Sequence, residues 1–455
     1  MLHRFSLNGY NIVLDVCTGV VHVLDDISYE LSAFADENMT NELPKEAFDK
    51  LSNTYTESEL KEAWSELYEL HKDGVFCSKD DIKQFAGDTS KAPIKSMCLN
   101  VAHDCNLRCK YCFASTGDFG GGRKLMPFEV GKAALDFIVK NSGSRHNLEV
   151  DFFGGEPLMN FDVVKRLVEY GRKLEKEYNK HFRFTITTNG VLLDDEKIDF
   201  INREMKNVVL SIDGRREVND KMRPHADGRG SYDEIIGKYK KLVERRNGGE
   251  YYVRGTFTHQ NLDFASDVLH LADEGFDQIS VEPVVCDENS PYAIKKEDLP
   301  QIFKEYEKLA IAYLERRKKG KGFNFFHFMI DLNEGPCILK LLKGCGCGNE
   351  YIAVTPDGDI YPCHQFVGQG GFKMGNVLDQ NGSFDNELKT TFSKANIFTK
   401  KKCSECWARF FCSGGCNANN QLYNGDMLMP LEISCELEKK RLECALMIKA
   451  ALADN

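Results

Sequence analysis

Ser96-Met97-Cys98-Leu99-Asn100-Val101 runs through Ala102-His103-Asp104 into Cys105-Asn106-Leu107-Arg108-Cys109-Lys110-Tyr111-Cys112-Phe113. The first six residues are a short apolar run that reads as a buried strand. The strand leads directly into a loop with three cysteines spaced C-x3-C-x2-C. The same strand pattern returns at Leu148–Phe153, Phe182–Thr187, Asn207–Ile212, Tyr252–Thr258 and Gln278–Val285. Amphipathic stretches follow, among them Pro127–Asn141, Val163–Tyr178 and Phe264–Glu274. Strand and helix in alternation imply a parallel sheet with right-handed crossovers. Six such units are too few for a closed eight-stranded barrel. The expected fold is α/β, with a partial (β/α)6 barrel of the TIM type over residues 91–330. Chemistry in such folds sits at the C-terminal strand ends, where the cysteine loop lies.

The flanks differ from this core. In residues 1–90, Asn11–Leu14 and Val20–Leu24 read as a β-hairpin. A helix follows, opened by Thr56-Glu57-Ser58-Glu59, striped by Leu60, Trp64, Leu67 and Leu70, and ended by Gly74. Gly87–Pro93 reads as a linker. A hairpin with helices in this length predicts a small winged-helix-like unit. Residues 331–455 hold ten of the seventeen cysteines, a strand–turn–strand at Tyr351–Tyr361 and a terminal helix over Glu432–Ala451.

The net charge of −11 argues against a nucleic-acid partner. No apolar run approaches the ~20 residues needed to span a bilayer, and Met1–Phe5 lacks a signal peptide's apolar stretch. The expected location is therefore the cytoplasm, where disulfides are rare and clustered cysteines are metal ligands or catalytic groups.

Three thiolates on one loop suit three irons of a 4Fe–4S cube, leaving the fourth iron open to substrate or cofactor. A structural zinc site would want a fourth protein ligand, and none is near in sequence. The loop Cys105–Phe113, with Tyr111 before its third cysteine, resembles the signature of the radical S-adenosylmethionine enzymes. That resemblance implies that Cys105, Cys109 and Cys112 hold a catalytic cluster. Its open iron would chelate S-adenosylmethionine, whose reductive cleavage gives a 5′-deoxyadenosyl radical. Further segments at successive strand ends fit the same family. Gly154-Gly155-Glu156-Pro157 resembles its GGEP segment, with Glu156 toward an ammonium group. Asn189 is expected near ribose or carboxylate, Ser211 and Asp213 near ribose, Arg223 near the methionine carboxylate, and Glu282 near adenine.

The C-terminal cysteines resemble the SPASM domain of peptide-modifying radical enzymes, which holds two auxiliary 4Fe–4S clusters. Three clusters in all are thus implied. The resemblance assigns Cys403, Cys406, Cys412 and Cys435 to an outer cluster, and Cys345, Cys363 and Cys416 to an inner one. Cys347 and Cys337 are the candidates for a fourth inner ligand. Cys345 and Cys347 are separated by one residue, which strains a shared cube. The expectation is therefore an inner iron without a protein thiolate, open to a substrate cysteine.

In the order of its zones the chain resembles the SCIFF peptide maturases, which act on small cysteine-rich precursors. Residues 1–90 resemble a RiPP recognition element, a unit that binds a leader peptide as an added strand. The activity implied is thioether formation of the sactipeptide or ranthipeptide kind. The radical takes hydrogen from an acceptor carbon, a cysteine thiolate joins that carbon, and one electron passes to an auxiliary cluster. An electron donor such as flavodoxin or ferredoxin is implied, and no nucleic acid or membrane. The alternatives are an anaerobic sulfatase-maturase-like formylglycine activity, or a non-enzymatic iron–sulfur electron carrier or zinc-dependent binding protein.

Overall fold

A computed structural model describes residues 1–332, 337–379 and 384–453. At the N-terminus β1 (Leu2–Leu7), β2 (Tyr10–Asp15) and β3 (Val21–Leu24) form an antiparallel sheet in that order. The expected hairpin is β2–β3. Strand β1 was not anticipated, although Asn8-Gly9 carries a hairpin signal. Both residues have left-handed φ, +53° and +82°, as a tight two-residue turn requires. The helix Glu57–Lys72 begins in a reciprocal cap. The Thr56 N–H donates to Glu59 Oε2 at 2.8 Å and the Glu59 N–H donates to Thr56 Oγ1 at 3.4 Å. Its apolar face (Leu60, Ala63, Trp64 and Leu67) packs with Val13 and Leu31 into a core of its own. The Trp64 indole donates to the Thr40 carbonyl at 2.9 Å, so its one polar atom is satisfied.

The central sheet contains β4 (Ser96–His103), β6 (Asn147–Gly154), β7 (His181–Thr188), β8 (Asn207–Ser211), β9 (Tyr251–Phe257) and β10 (Gln278–Pro283). These six pair in parallel, each with its neighbour in sequence. All six expected strands are present, within two residues of the expected ends. The short strand β5 (Lys124–Leu125) lies antiparallel on β4, and β11 (Asn324–Phe325) extends the far edge. Side-chain alternation explains the layering. Leu148, Val150 and Phe152 on β6, and Phe182, Phe184 and Ile186 on β7, enter the main apolar core. The opposite set is mostly polar and lines a concave cavity of about 370 Å³ with Asp151, Arg183, Thr185 and Arg254 on its wall.

The third zone continues the same sheet. β12 (Tyr351–Val354) pairs in parallel with β4, and β13 (Asp359–Tyr361) and β14 (Gly375–Asn376) follow antiparallel. The cysteine-rich zone is therefore joined to the barrel by backbone hydrogen bonds. The linker 87–93 is pinned to it as well. Thr89 Oγ1 accepts from Asn349 Nδ2 at 3.0 Å, and the Ala92 carbonyl from Lys389 Nζ at 2.9 Å. The helix Glu432–Ala453 packs on β1–β3 and on the helix Leu299–Lys318. His3 stacks on Trp407 with ring centres 3.6 Å apart, and Asp80 pairs with Arg409 at 3.0 Å. Among the described residues, no helix is long and apolar enough to cross a membrane.

Thr56→Ala removes the hydroxyl half of the helix cap. It should destabilise the N-terminal unit by about 1 kcal/mol. The measurement is the denaturant midpoint followed by the fluorescence of Trp64, in a Trp407→Phe background that silences the second of the two tryptophans. An unchanged midpoint would show that the cap contributes no stability.

Candidate functional site

The loop Cys105–Cys112 leaves the C-terminal end of β4 and is fastened on three sides. Asp104 Oδ1 accepts from the Cys105 N–H at 2.8 Å. The Arg108 and Lys110 N–H groups donate to the carbonyls of Pro224 (2.8 Å) and Met222 (2.9 Å). These two bonds bring Arg223 beside the cysteines. On the third side the loop meets the end of β6 with no room for a side chain. A Cβ on Gly155 would lie 2.1 Å from the Asp104 carbonyl oxygen, and one on Gly154 2.2 Å from that of Ala102.

Together these elements enclose a cavity of about 280 Å³ at the C-terminal strand ends. Its wall includes Cys105, Cys109, Cys112, Tyr111, Gly154, Gly155, Asn189, Ser211, Arg223 and Glu282. The expected residues are thus gathered in one place, except for two. Glu156 and Asp213 do not line the cavity. They lie behind it, 1% and 0% exposed.

The hydrogen bonds show what those two carboxylates do. Glu156 Oε1 accepts from the Leu158 N–H (3.0 Å) and Thr188 Oγ1 (2.8 Å), and Oε2 from the Asn189 N–H (2.7 Å). Burial raises its carboxyl to about 7 against these three donors. Most of its acceptor capacity is spent on the chain itself, fastening β6 to the end of β7. Asn189 is thereby aimed at the cysteine loop, where its Nδ2 donates to Asn106 Oδ1 at 2.8 Å.

Asp213 accepts from the Tyr111 hydroxyl (2.8 Å to each oxygen) and the Thr256 N–H (3.1 Å). Burial raises its carboxyl to about 6, opposed by Arg223, whose Nη1 lies 3.7 Å away. Arg223 Nη1 also donates to the Tyr111 oxygen at 2.8 Å. Its Nε is buried without a partner. A buried guanidinium with a spare N–H on a cavity wall fits a carboxylate ligand. Glu282 is paired with Arg254 at 2.9 Å.

The donor set of the loop fits an iron–sulfur cube. Burial raises Cys105 to about 12 and Cys109 to about 11, so without metal both are thiols. Binding a metal would displace those protons. Among the described residues no three ligand side chains converge as for a single ion. A cube holds its thiolates further apart than a single ion does.

In the third zone, Cys403, Cys406, Cys412 and Cys435 form one group. After burial, Cys435 raises the Cys412 thiol most, and Cys403 and Cys406 raise Cys435. The second group is fuller than expected. Cys347 hydrogen-bonds to Cys363, which pulls the Cys363 thiol down while burial pushes Cys347 up. Cys345 and Cys416 also bear on Cys347. The close spacing of Cys345 and Cys347 is relieved because Gly346 and Gly348 take left-handed φ, +74° and +70°. Cys347, one of the two candidates for a fourth inner ligand, thus lies with Cys345, Cys363 and Cys416. Cys337 is exposed at the start of the helix Ile338–Lys343.

The cavity wall also includes Arg254, which was not anticipated, and His364, Gln365 and Asn419. The last three come from the cysteine-rich zone, and Gln365 Nε2 lies 4.0 Å from Cys416 Sγ. The second cysteine group therefore abuts the cavity. The available signal was their position beside Cys363 and Cys416.

Comparison with known proteins agrees with this arrangement. Residues 99–266 match the radical SAM superfamily, and residues 345–407 match SPASM, an iron–sulfur cluster-binding domain. A cysteine-type anaerobic sulfatase-maturating enzyme of Clostridium novyi is 25% identical over 338 residues, covering 70% of this chain and 87% of its own. The radical SAM cyclopropyl synthase TigE of Paramaledivibacter caminithermalis is 23% identical, covering 76% and 72%. Among solved structures, native anSMEcpe with bound AdoMet superposes with a TM-score of 0.65 at 22% identity, over 80% of this chain and 100% of its own. SuiB of Streptococcus suis bound to S-adenosylmethionine gives 0.54 at 18% identity, over 95% and 98%. These likenesses carry the partial-barrel fold. The chain thus carries a radical SAM domain over residues 99–266 and a SPASM domain over residues 345–407.

Proposed function

We propose that this protein is a radical S-adenosylmethionine peptide maturase that forms a thioether between a cysteine sulfur and a carbon of an acceptor residue. Its substrate would be a small cysteine-rich, SCIFF-type precursor peptide. One observation carries the reading. The cavity that holds Cys105, Cys109, Cys112 and Arg223 is also walled by Gln365 and Asn419, beside the second cysteine group. A peptide carbon and a peptide thiol placed there would both lie next to redox-active sites.

In this reading Cys105, Cys109 and Cys112 hold the catalytic cluster. The outer auxiliary cluster takes Cys403, Cys406, Cys412 and Cys435, and the inner one takes Cys345, Cys347, Cys363 and Cys416. The cofactors, when bound, supply a 5′-deoxyadenosyl radical able to abstract hydrogen from carbon. The chain's own residues position and shield. Arg223 holds the methionine carboxylate, and Tyr111 and Asp213 fix Arg223 from behind. Glu156 aims Asn189 at the cysteine loop, and Ser211 and Glu282 flank the nucleoside. The flanking zones exclude water.

Residues 1–90 are the leader-binding unit. β3 is an unpaired edge with Val23 45% exposed, ready for an added strand. SuiB has been solved with its precursor peptide SuiA, over 93% of this chain. Cytoplasmic location and a flavodoxin- or ferredoxin-like electron donor complete the proposal.

Formylglycine formation is the second reading, favoured by the sulfatase-maturating relatives. The coverages weigh against it. The anSMEcpe likeness leaves out a fifth of the chain, as large a share as residues 1–90 make up, whereas the SuiB likeness spans 95%.

High-resolution mass spectrometry of a co-expressed cysteine-rich peptide separates the two. A thioether loses two hydrogens, about 2 Da, and leaves one cysteine resistant to reduction and alkylation, unlike a disulfide. An aldehyde with every other cysteine alkylatable would instead establish formylglycine.

Reconstituted protein should hold about twelve irons, as three cubes. Changing Cys105, Cys109 and Cys112 together to Ala should remove about four of them and abolish 5′-deoxyadenosine formation. Continued cleavage in that variant would place the catalytic cluster elsewhere. Arg223→Met should keep its iron and weaken S-adenosylmethionine binding about tenfold or more, the range of a charge-assisted hydrogen bond. Titration calorimetry reads this directly, and an unchanged affinity would remove Arg223 from the cofactor pocket.

A further inference from the structure

Lys400 is a lysine buried between the two cysteine groups of the third zone, 3% exposed. Its carbonyl accepts from the Cys403 N–H at 3.2 Å, which ties its backbone to the outer group. Its ammonium reaches the opposite way. It donates to the carbonyls of Gly414 (2.7 Å) and Gly415 (3.3 Å), two of the three residues that join Cys412 of the outer group to Cys416 of the inner one. The site is shaped for this side chain. Both glycines take left-handed φ, +83° and +69°, and a Cβ on Gly414 would lie 2.7 Å from Lys400 Cδ.

Among the described residues no carboxylate pairs with Lys400. Burial pulls its ammonium below the ordinary lysine range, opposed by the charge of Cys403, Cys412, Cys416 and Cys345. They come two from each group. A buried ammonium without an anionic partner is strongly disfavoured. A cube held by four thiolates is a net anion, and its reduction adds further negative charge. Nearby positive charge and hydrogen bonding are what set the potential of such a cluster.

We propose that Lys400 is the shared counter-charge of the two auxiliary clusters, a positioning residue that raises both reduction potentials and keeps both clusters able to accept an electron. The inference rests on the reading above that each group of four cysteines holds a cube. Carbonyl hydrogen bonds alone would not require an ammonium here, since a neutral amide can donate equally well. Charge and hydrogen bonding can therefore be separated by substitution.

The experiment is an EPR-monitored redox titration of the reconstituted full-length protein, with iron counted first. Lys400→Met removes charge and donor, Lys400→Gln keeps a donor without charge, and Lys400→Arg keeps the charge. Both neutral variants should retain about twelve irons. Their auxiliary clusters should be harder to reduce by about tenfold or more in the equilibrium constant, 59 mV for a one-electron couple. The catalytic cluster should not shift, and Lys400→Arg should stay near wild type. Wild-type potentials in both neutral variants, or in Lys400→Gln alone, would overturn the charge role. If the neutral variants lose iron and Lys400→Arg retains it, the positive charge is needed to assemble the clusters, which supports the proposal. Loss from all three means that the lysine acts by shape alone and overturns it. Wild-type protein that binds only about four irons would instead overturn the cluster reading itself.

Discussion

A buried cation organises the C-terminal strand ends of this barrel. Arg223 is held by the Tyr111 hydroxyl and by Asp213, and Asp213 is in turn bonded to Tyr111 and to the Thr256 backbone. One network thereby joins the cysteine loop, the segment after β8 and the end of β9. Each member is needed by the others. Removing one partner of a buried charge pair leaves the other uncompensated, which costs far more than the pair contributes as a whole. Arg223 lines the cavity from the middle of this network, with its Nε left unpartnered. The geometry of the ligand site is therefore fixed before any ligand arrives, as a preorganised site requires.

The same economy of position holds at the other end of the cavity. β12 adds to the barrel by pairing with β4, the strand that carries the Cys105–Cys112 loop at its C-terminal end. The next strand, β13, is followed at once by Cys363, His364 and Gln365. Because the pairing is backbone to backbone, it sets the second cysteine group at a fixed height against the cavity. The N-terminal unit then rests on the cysteine-rich zone through the His3–Trp407 stack and the Asp80–Arg409 pair. Both contacts fall on the segment between Cys406 and Cys412. The N-terminal unit, the outer cysteine group and the inner cysteine group thus form one packed series leading to the barrel mouth.

Much of this was legible in the residues. The six barrel strands were readable because buried parallel strands are short apolar runs with turn residues between them. The loop Cys105–Cys112 was readable because three ligands within eight residues need no tertiary structure to be neighbours. Strand β1 was missed because its charged and polar members, His3, Arg4 and Ser6, hide the alternation. Only pairing with β2 makes it a strand. Glu156 and Asp213 were expected on the cavity wall because their segments stand at the strand ends. Glu156 follows an irregular stretch, where the β4–β6 register shifts between Asn100 and Ala102, and Asp213 is held by its bonds to Tyr111 and the Thr256 N–H.

By itself the sequence determined the chemistry available. The cysteine spacings, the glycines at strand ends and the alternation of strand and helix are local properties, and local bonding enforces them. Tertiary structure alone decided which distant groups meet. Cys347 reaches Cys363 because the Gly348 N–H donates to the Pro362 carbonyl at 3.0 Å, folding the turn back onto the end of β13. Lys400 reaches the Gly414-Gly415 link because two left-handed glycines leave room for it. Such contacts depend on the angle at which separate segments cross. No pattern of residue types along one segment encodes that angle, because the packing of the whole chain sets it.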